Sequence, residues 1–114
     1  MSAKPVSKER LEHIIEAIDR IFRFTEKMTF EAFMENEMAQ FAIIKNFEII
    51  GEVAYQIGNE LKASNPEIEW RKITAFRHLL VHDYYKINME IVWNAKQNKL
   101  ENLKMQIEDI LDGL

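Results

Sequence analysis

Residues 37–62, EMAQFAIIKNFEIIGEVAYQIGNELK, decide how the rest of the chain reads. Apolar side chains recur at Met38, Phe41, Ile44, Phe47, Ile50, Val53, Ile57 and Leu61. Intervals of three and four trace one face of an α-helix. The pattern continues through Gly51 and Gly58, although each glycine costs a helix interior about 1 kcal/mol relative to alanine. With Ala54 these glycines form a stripe of small residues that a neighbouring helix can approach closely. The segment therefore predicts one long helix from about Glu37 to Lys62.

Working outward, the same period recurs on both sides. Ser7 is placed to cap a first helix, with Glu9 near its positive end. Leu11, Ile14, Ile15, Ile18, Ile21, Phe22 and Thr25 mark its inner face, and it should run to about Met28. Thr29 can cap a short helix bearing Phe30, Phe33 and Met34. Downstream, Ala63-Ser64-Asn65-Pro66 reads as a turn. A further helix is expected from about Ile68 to Val81, with Ile73, Phe76 and Leu80 inward. Asn88 can cap a last helix carrying Trp93, Leu100, Leu103, Ile107, Ile110 and Leu114, with Gly113 at its stop. The expected architecture is an all-α, up-and-down bundle of four main helices plus one short one. At 114 residues it is read as one domain, 1–114.

Composition narrows the function. The chain has no cysteine, which excludes disulfides and thiolate–zinc sites and fits the cytoplasm. No apolar run approaches the roughly 20 residues that span a bilayer, so no membrane role is expected. The first residues lack the apolar core of a signal peptide. A net charge of −4 argues against a broad nucleic-acid-coating surface. The charge is uneven, however. Glu26 to Glu60 holds seven acids against Lys27 and Lys45, whereas Arg71 to Lys86 holds Arg71, Lys72, Arg77 and Lys86 against Asp83 alone.

That positive window contains Arg77-His78-Leu79-Leu80-Val81-His82-Asp83-Tyr84. Arginine is a permanent cation whose planar fork grips phosphate through parallel donors. Histidine moves protons near neutral pH. Together they suit phosphodiester chemistry without a metal or other cofactor. Five residues turn an ideal helix through about 500°, leaving Arg77 and His82 roughly 140° apart. They converge only if the helix ends near His82 or a second subunit completes the site. His78 and His82, four apart, share a face. Plainer readings stand beside this one. Arg77 can pair with Glu48 or Glu52 while the histidines occupy the negative helix end. His78 and His82 also have the spacing of two metal ligands, but no third ligand is evident. Tyr84 and Tyr85 can simply pack at the bundle end, Trp70 and Trp93 can anchor the core, and His13 reads as a surface residue.

The order Arg77, four residues, His82, one residue, Tyr84 resembles the R-x4-H-x-Y motif of HepT-like toxins of the HEPN superfamily. Phe47-Glu48-Ile49-Ile50-Gly51-Glu52-Val53-Ala54 is similar to that family's IIGEAA-like segment. Asn65-Pro66-Glu67-Ile68-Glu69-Trp70 is similar to its P-x-I-x-W approach to the motif helix. Where the family often has asparagine after the arginine, this chain has His78. The resemblance spans nearly the whole chain. It implies a homodimeric, metal-independent endoribonuclease, the toxin of a toxin–antitoxin pair. Arg77 and His82 would be catalytic, and His78 a possible support. The implied partner is an MntA-type minimal nucleotidyltransferase that transfers AMP to Tyr84. A different class of function is a non-catalytic helical adaptor that presents substrate to a nucleotidyltransferase. A nucleotide sensor finds no glycine-rich phosphate loop here.

Overall fold

A computed structural model describes residues 4–114; the side chains of Lys4, Pro5 and Tyr84 lie outside the described set. Among the described residues there are seven α-helices and no strand. They are α1 (Lys4–Phe24), α2 (Phe30–Met34), α3 (Glu37–Gln56), α4 (Asn59–Ser64), α5 (Trp70–His82), α6 (Met89–Asn98) and α7 (Leu100–Asp112). A 3-10 turn, Tyr84–Lys86, joins α5 to α6. The all-α reading holds, but the expected helix over 37–62 and the expected last helix are each divided in two.

Helix α3 lies between α1 and α5 and packs on both. Its buried face comprises Ala39, Ile43, Ile44, Asn46, Phe47, Ile50, Gly51 and Ala54. Met38 and Phe41, expected inward, point outward instead, at 85% and 55% exposure. Helix α1 supplies Leu11, Ile14, Ile18 and Ile21, all 0–1% exposed. Fully burying an aliphatic side chain of this size contributes about 1.5–3 kcal/mol. Polar ties fix how the helices sit. Lys104 reaches Asp19 at 2.7 Å, joining α7 to α1. Arg20 donates to the Asn46 side chain at 3.3 Å, joining α1 to α3. Trp93 sits against the Phe33 ring, centroids 5.0 Å apart, and clamps α6 onto α2. Trp70 is also buried, its indole N–H donating to the Asn65 carbonyl at 3.0 Å.

The expected helix over 37–62 breaks at Ile57 and Gly58, both extended, with ψ of 135° and 151°. The two glycines fare differently because only one is packed. Gly51 faces Arg77 and Ile73 across the α3–α5 contact, whereas nothing lies within 4 Å of where a Gly58 side chain would begin. Packing compensates the poor helix propensity of Gly51 and leaves that of Gly58 uncompensated. Two cations then cap the break. Arg10 donates to the Gln56 carbonyl at 2.7 Å and Lys62 to the Tyr55 carbonyl at 3.4 Å, at the negative end of α3. The second division falls at Lys99, φ −121°, and Leu100 and Leu103 beyond it turn into the core.

Caps were legible in part. Thr29 accepts from the Ala32 N–H at 3.1 Å, and Asn88 from the Glu90 N–H at 2.8 Å. Ser7 lies inside α1 and does not cap it, because the helix begins by Lys4. That helix also stops at Phe24, short of the expected Met28. Lys27 follows with φ of 61°, a left-handed conformation that costs a side-chain-bearing residue roughly 1–2 kcal/mol. Lys27→Gly should therefore stabilise the fold by about 0.5–1 kcal/mol, after the extra entropy glycine gives the unfolded chain. Chemical denaturation midpoints compared at equal slope would check this.

Candidate active site

Helix α5 begins after a short loop and carries Arg77, His78 and His82 on its last turns. Glu69, at its N-cap position, meets Lys72 at 2.7 Å and Lys99 at 3.7 Å. Hydrogen bonding and charge from Lys72, then Lys99, hold the Glu69 carboxyl below its usual range. The ion pairs tie the start of α5 to the α6–α7 junction, though at an exposed site they are worth little each.

Arg77 sits where α5 crosses α3. Its Nη2 lies 2.8 Å from Glu52 Oε2 in an ion pair, with the arginine side chain 34% exposed. The two line an open cleft of about 200 Å³ with Lys45, Glu48, Ile49 and Val53. Sequence reasoning kept Glu52 as one of two possible partners and overlooked Lys45. Their signal was present. Lys45, Glu48 and Glu52 follow one another at intervals of three and then four, so three charges share one face of a largely apolar helix.

His78 and His82 stack one turn apart, ring centroids 4.4 Å from each other and tilted by 47°. Both are exposed. Helix α5 includes His82 and ends there, with Asp83 as C-cap. Arg77 and His82 are therefore both helical, and their side chains leave the axis about 140° apart. Among the described residues no hydrogen bond or ring contact joins them. Convergence through an early helix end does not occur. The chain has passed into the 3-10 turn by Tyr84. The Tyr84 side chain, implied by the resemblance to be the AMP acceptor, lies outside the described residues.

His13 is exposed, with Glu9 at 4.0 Å. Among the described residues no group of three or more His, Cys, Asp or Glu is arranged to hold a metal ion. No described helix is long and apolar enough to cross a membrane. The Gly51–Ala54–Gly58 stripe is not a free docking face, because Gly51 is covered by α5 and Gly58 has left the helix. A larger concavity, about 530 Å³, opens between α5 and the α6–α7 pair, over Phe47, Ile73, Phe76 and Leu103. It contains neither Arg77 nor His82.

Comparison with known proteins adds a lineage to this geometry. The family model described as ribonuclease HepT-like matches residues 14–110. A "Probable ribonuclease HepT" of Thermococcus cleftensis is 37% identical over 103 residues, covering 90% of this chain and 94% of the relative. A Methanocaldococcus jannaschii protein described as a "Putative RNase" is 34% identical, covering 91% of this chain and 86% of its own length. No solved structure matches the chain. The family match takes in α3, its Gly51–Glu52 step and all of α5, the elements that build the cleft. This chain belongs to the ribonuclease HepT-like family.

Proposed function

We propose that the protein is an endoribonuclease and the toxin of a toxin–antitoxin pair, cleaving RNA without a metal. One observation carries the reading: α5 presents Arg77 in an open cleft and exposes the His78–His82 ring pair at its end. Family membership supports the substrate, since the relatives quoted above carry ribonuclease names.

The reaction is a transesterification. His82 takes the proton from a ribose 2′-hydroxyl, and the 2′-oxygen bonds to the adjacent phosphorus. The bond from phosphorus to the 5′-oxygen breaks, and that oxygen receives a proton from a second carrier. His78 is the nearest candidate in the same subunit, and the partner subunit's His82 is the other. Arg77 stabilises the charge that builds on the phosphoryl oxygens, an interaction stronger in the transition state than before it. The roughly 140° between Arg77 and His82 favours a homodimer, in which a two-fold axis sets the arginine of one copy beside the histidine of the other. The products carry a 2′,3′-cyclic phosphate and a 5′-hydroxyl. The test is cleavage of a tRNA pool in EDTA, with product ends identified and an all-deoxy oligonucleotide as control. Comparable cleavage of the deoxy strand rules out this chemistry.

Neutralisation is assigned to an MntA-type nucleotidyltransferase that moves AMP from ATP onto the Tyr84 hydroxyl, releasing pyrophosphate. The adduct adds a bulky anion two residues beyond His82, where it competes for Arg77 and blocks the cleft. Mass spectrometry after incubation with such an enzyme and ATP should find one AMP on the peptide containing Tyr84. The Tyr84→Phe variant should stay unmodified; an undiminished adduct there would move the acceptor elsewhere.

A further inference from the structure

Arg77 is held at both ends of its side chain, and the two holds come from adjacent residues of α3. At the root, a side-chain carbon on Gly51 would collide with Arg77 Cβ and stand 2.9 Å from its Cγ and 3.2 Å from the Ile73 carbonyl oxygen. The missing side chain of Gly51 is therefore what lets the arginine stem lie on the α3 backbone. At the tip, Glu52 Oε2 forms an ion pair with Nη2 at 2.8 Å. A guanidinium has five N–H donors, and this contact engages one nitrogen of three. The others stay available to a phosphate entering the cleft beside Lys45.

We infer that Glu52 is a positioning residue, which fixes the Arg77 guanidinium in the cleft before RNA arrives. The inference rests on the ribonuclease reading for its consequence but not for its geometry. A long side chain with four rotatable bonds has many poses in water, and few of them point two donors at one phosphate. Anchoring one edge to a carboxylate removes most of those poses in advance. The same carboxylate offsets part of the cation's charge, which weakens ground-state attraction for RNA. Loss of Glu52 therefore separates two quantities that simple misfolding lowers together. The catalytic rate falls because the guanidinium wanders, while KM stays level or decreases because the cation is unmasked.

The experiment uses the full chain and a fluorescent RNA oligonucleotide containing a mapped cleavage site, in EDTA. It compares wild type with Glu52→Ala, Glu52→Gln, Arg77→Ala and the Glu52→Ala/Arg77→Ala double variant, with thermal melts alongside. Glu52→Ala should lower kcat about 10- to 100-fold without raising KM. Glu52→Gln, which still accepts a hydrogen bond, should recover part of the loss. In the Arg77→Ala background, removing Glu52 should cost nothing more. A Glu52→Ala protein as fast as wild type, beside a dead Arg77→Ala, overturns the positioning role alone. An Arg77→Ala protein that cleaves normally overturns the ribonuclease role of Arg77 instead. A second readout is independent of cleavage. Slowed rotation of a fixed guanidinium should give resolved Arg77 Hη signals by NMR in wild type, merging in Glu52→Ala. Signals already merged in wild type overturn the inference even if RNA is never cut.

Discussion

His82→Ala should cut RNA cleavage about 10²- to 10⁴-fold, the usual contribution of a positioned proton carrier. The fold should hardly register the change. His82 is exposed in the last turn of α5, so truncation removes little buried surface. Exposed substitutions of this kind stay within about ±0.5 kcal/mol. Arg77→Ala should fall by a similar factor, about 10²–10³, through loss of charge stabilisation on the phosphoryl oxygens. Its ion pair with Glu52 is part-exposed, and such pairs contribute about 0–1 kcal/mol, so this variant should also fold. Initial rates on a tRNA pool in EDTA, set beside melting curves, separate the two effects. Variants that cleave at wild-type rates would place the chemistry on other residues, whereas folded wild-type protein that cleaves no RNA would shift the functional reading to a helical adaptor. The His78–His82 contact sharpens the design. If His78 carries the second proton, His78→Ala should slow cleavage of a substrate with a poor leaving group far more than one with a good one.

Gly51→Val should destabilise the fold by about 3 kcal/mol and remove activity with it. A branched side chain there meets Arg77 and the Ile73 carbonyl, and the second of these is backbone that cannot rotate aside. Forcing extra carbon atoms into packed space costs about 1–3 kcal/mol, more where backbone must shift. Gly51→Ala is the milder form. It gains about 1 kcal/mol in helix propensity, but its Cβ still collides with Arg77 Cβ, so a net loss is expected. Gly58→Ala is the control. Its site is open and its φ of −65° suits any residue, so the change should stay under about 1 kcal/mol. Denaturant titrations of the three variants check the ranking. Equal effects at both glycines would mean that α5 does not approach α3 as closely as described.

Much of the fold was legible because helical period is a local property. The inner face of α1, the Thr29 and Asn88 caps and the helical nature of residues 70–82 follow from residues within one or two turns of each other. The breaks at Ile57–Gly58 and Lys99 were not legible. Each depends on partners distant in sequence, such as Arg10 meeting the Gln56 carbonyl. Met38 and Phe41 fit the apolar period but face outward, since the wheel alone does not say which arc the neighbours cover.

The candidate site divides in the same way. Sequence by itself determined the residue types and their relative directions: Arg77, His78 and His82 on one helix, with Arg77 and His82 on different sides and His78 and His82 on the same side. Those relations follow from the 100° turn per residue and needed no neighbour. Tertiary structure alone decided what Arg77 touches. Glu48 and Glu52 were equal partners in sequence, and the crossing of α5 over Gly51 chose Glu52. That choice belongs to packing, because which two helices meet, and at which residue, depends on side chains from the whole chain at once.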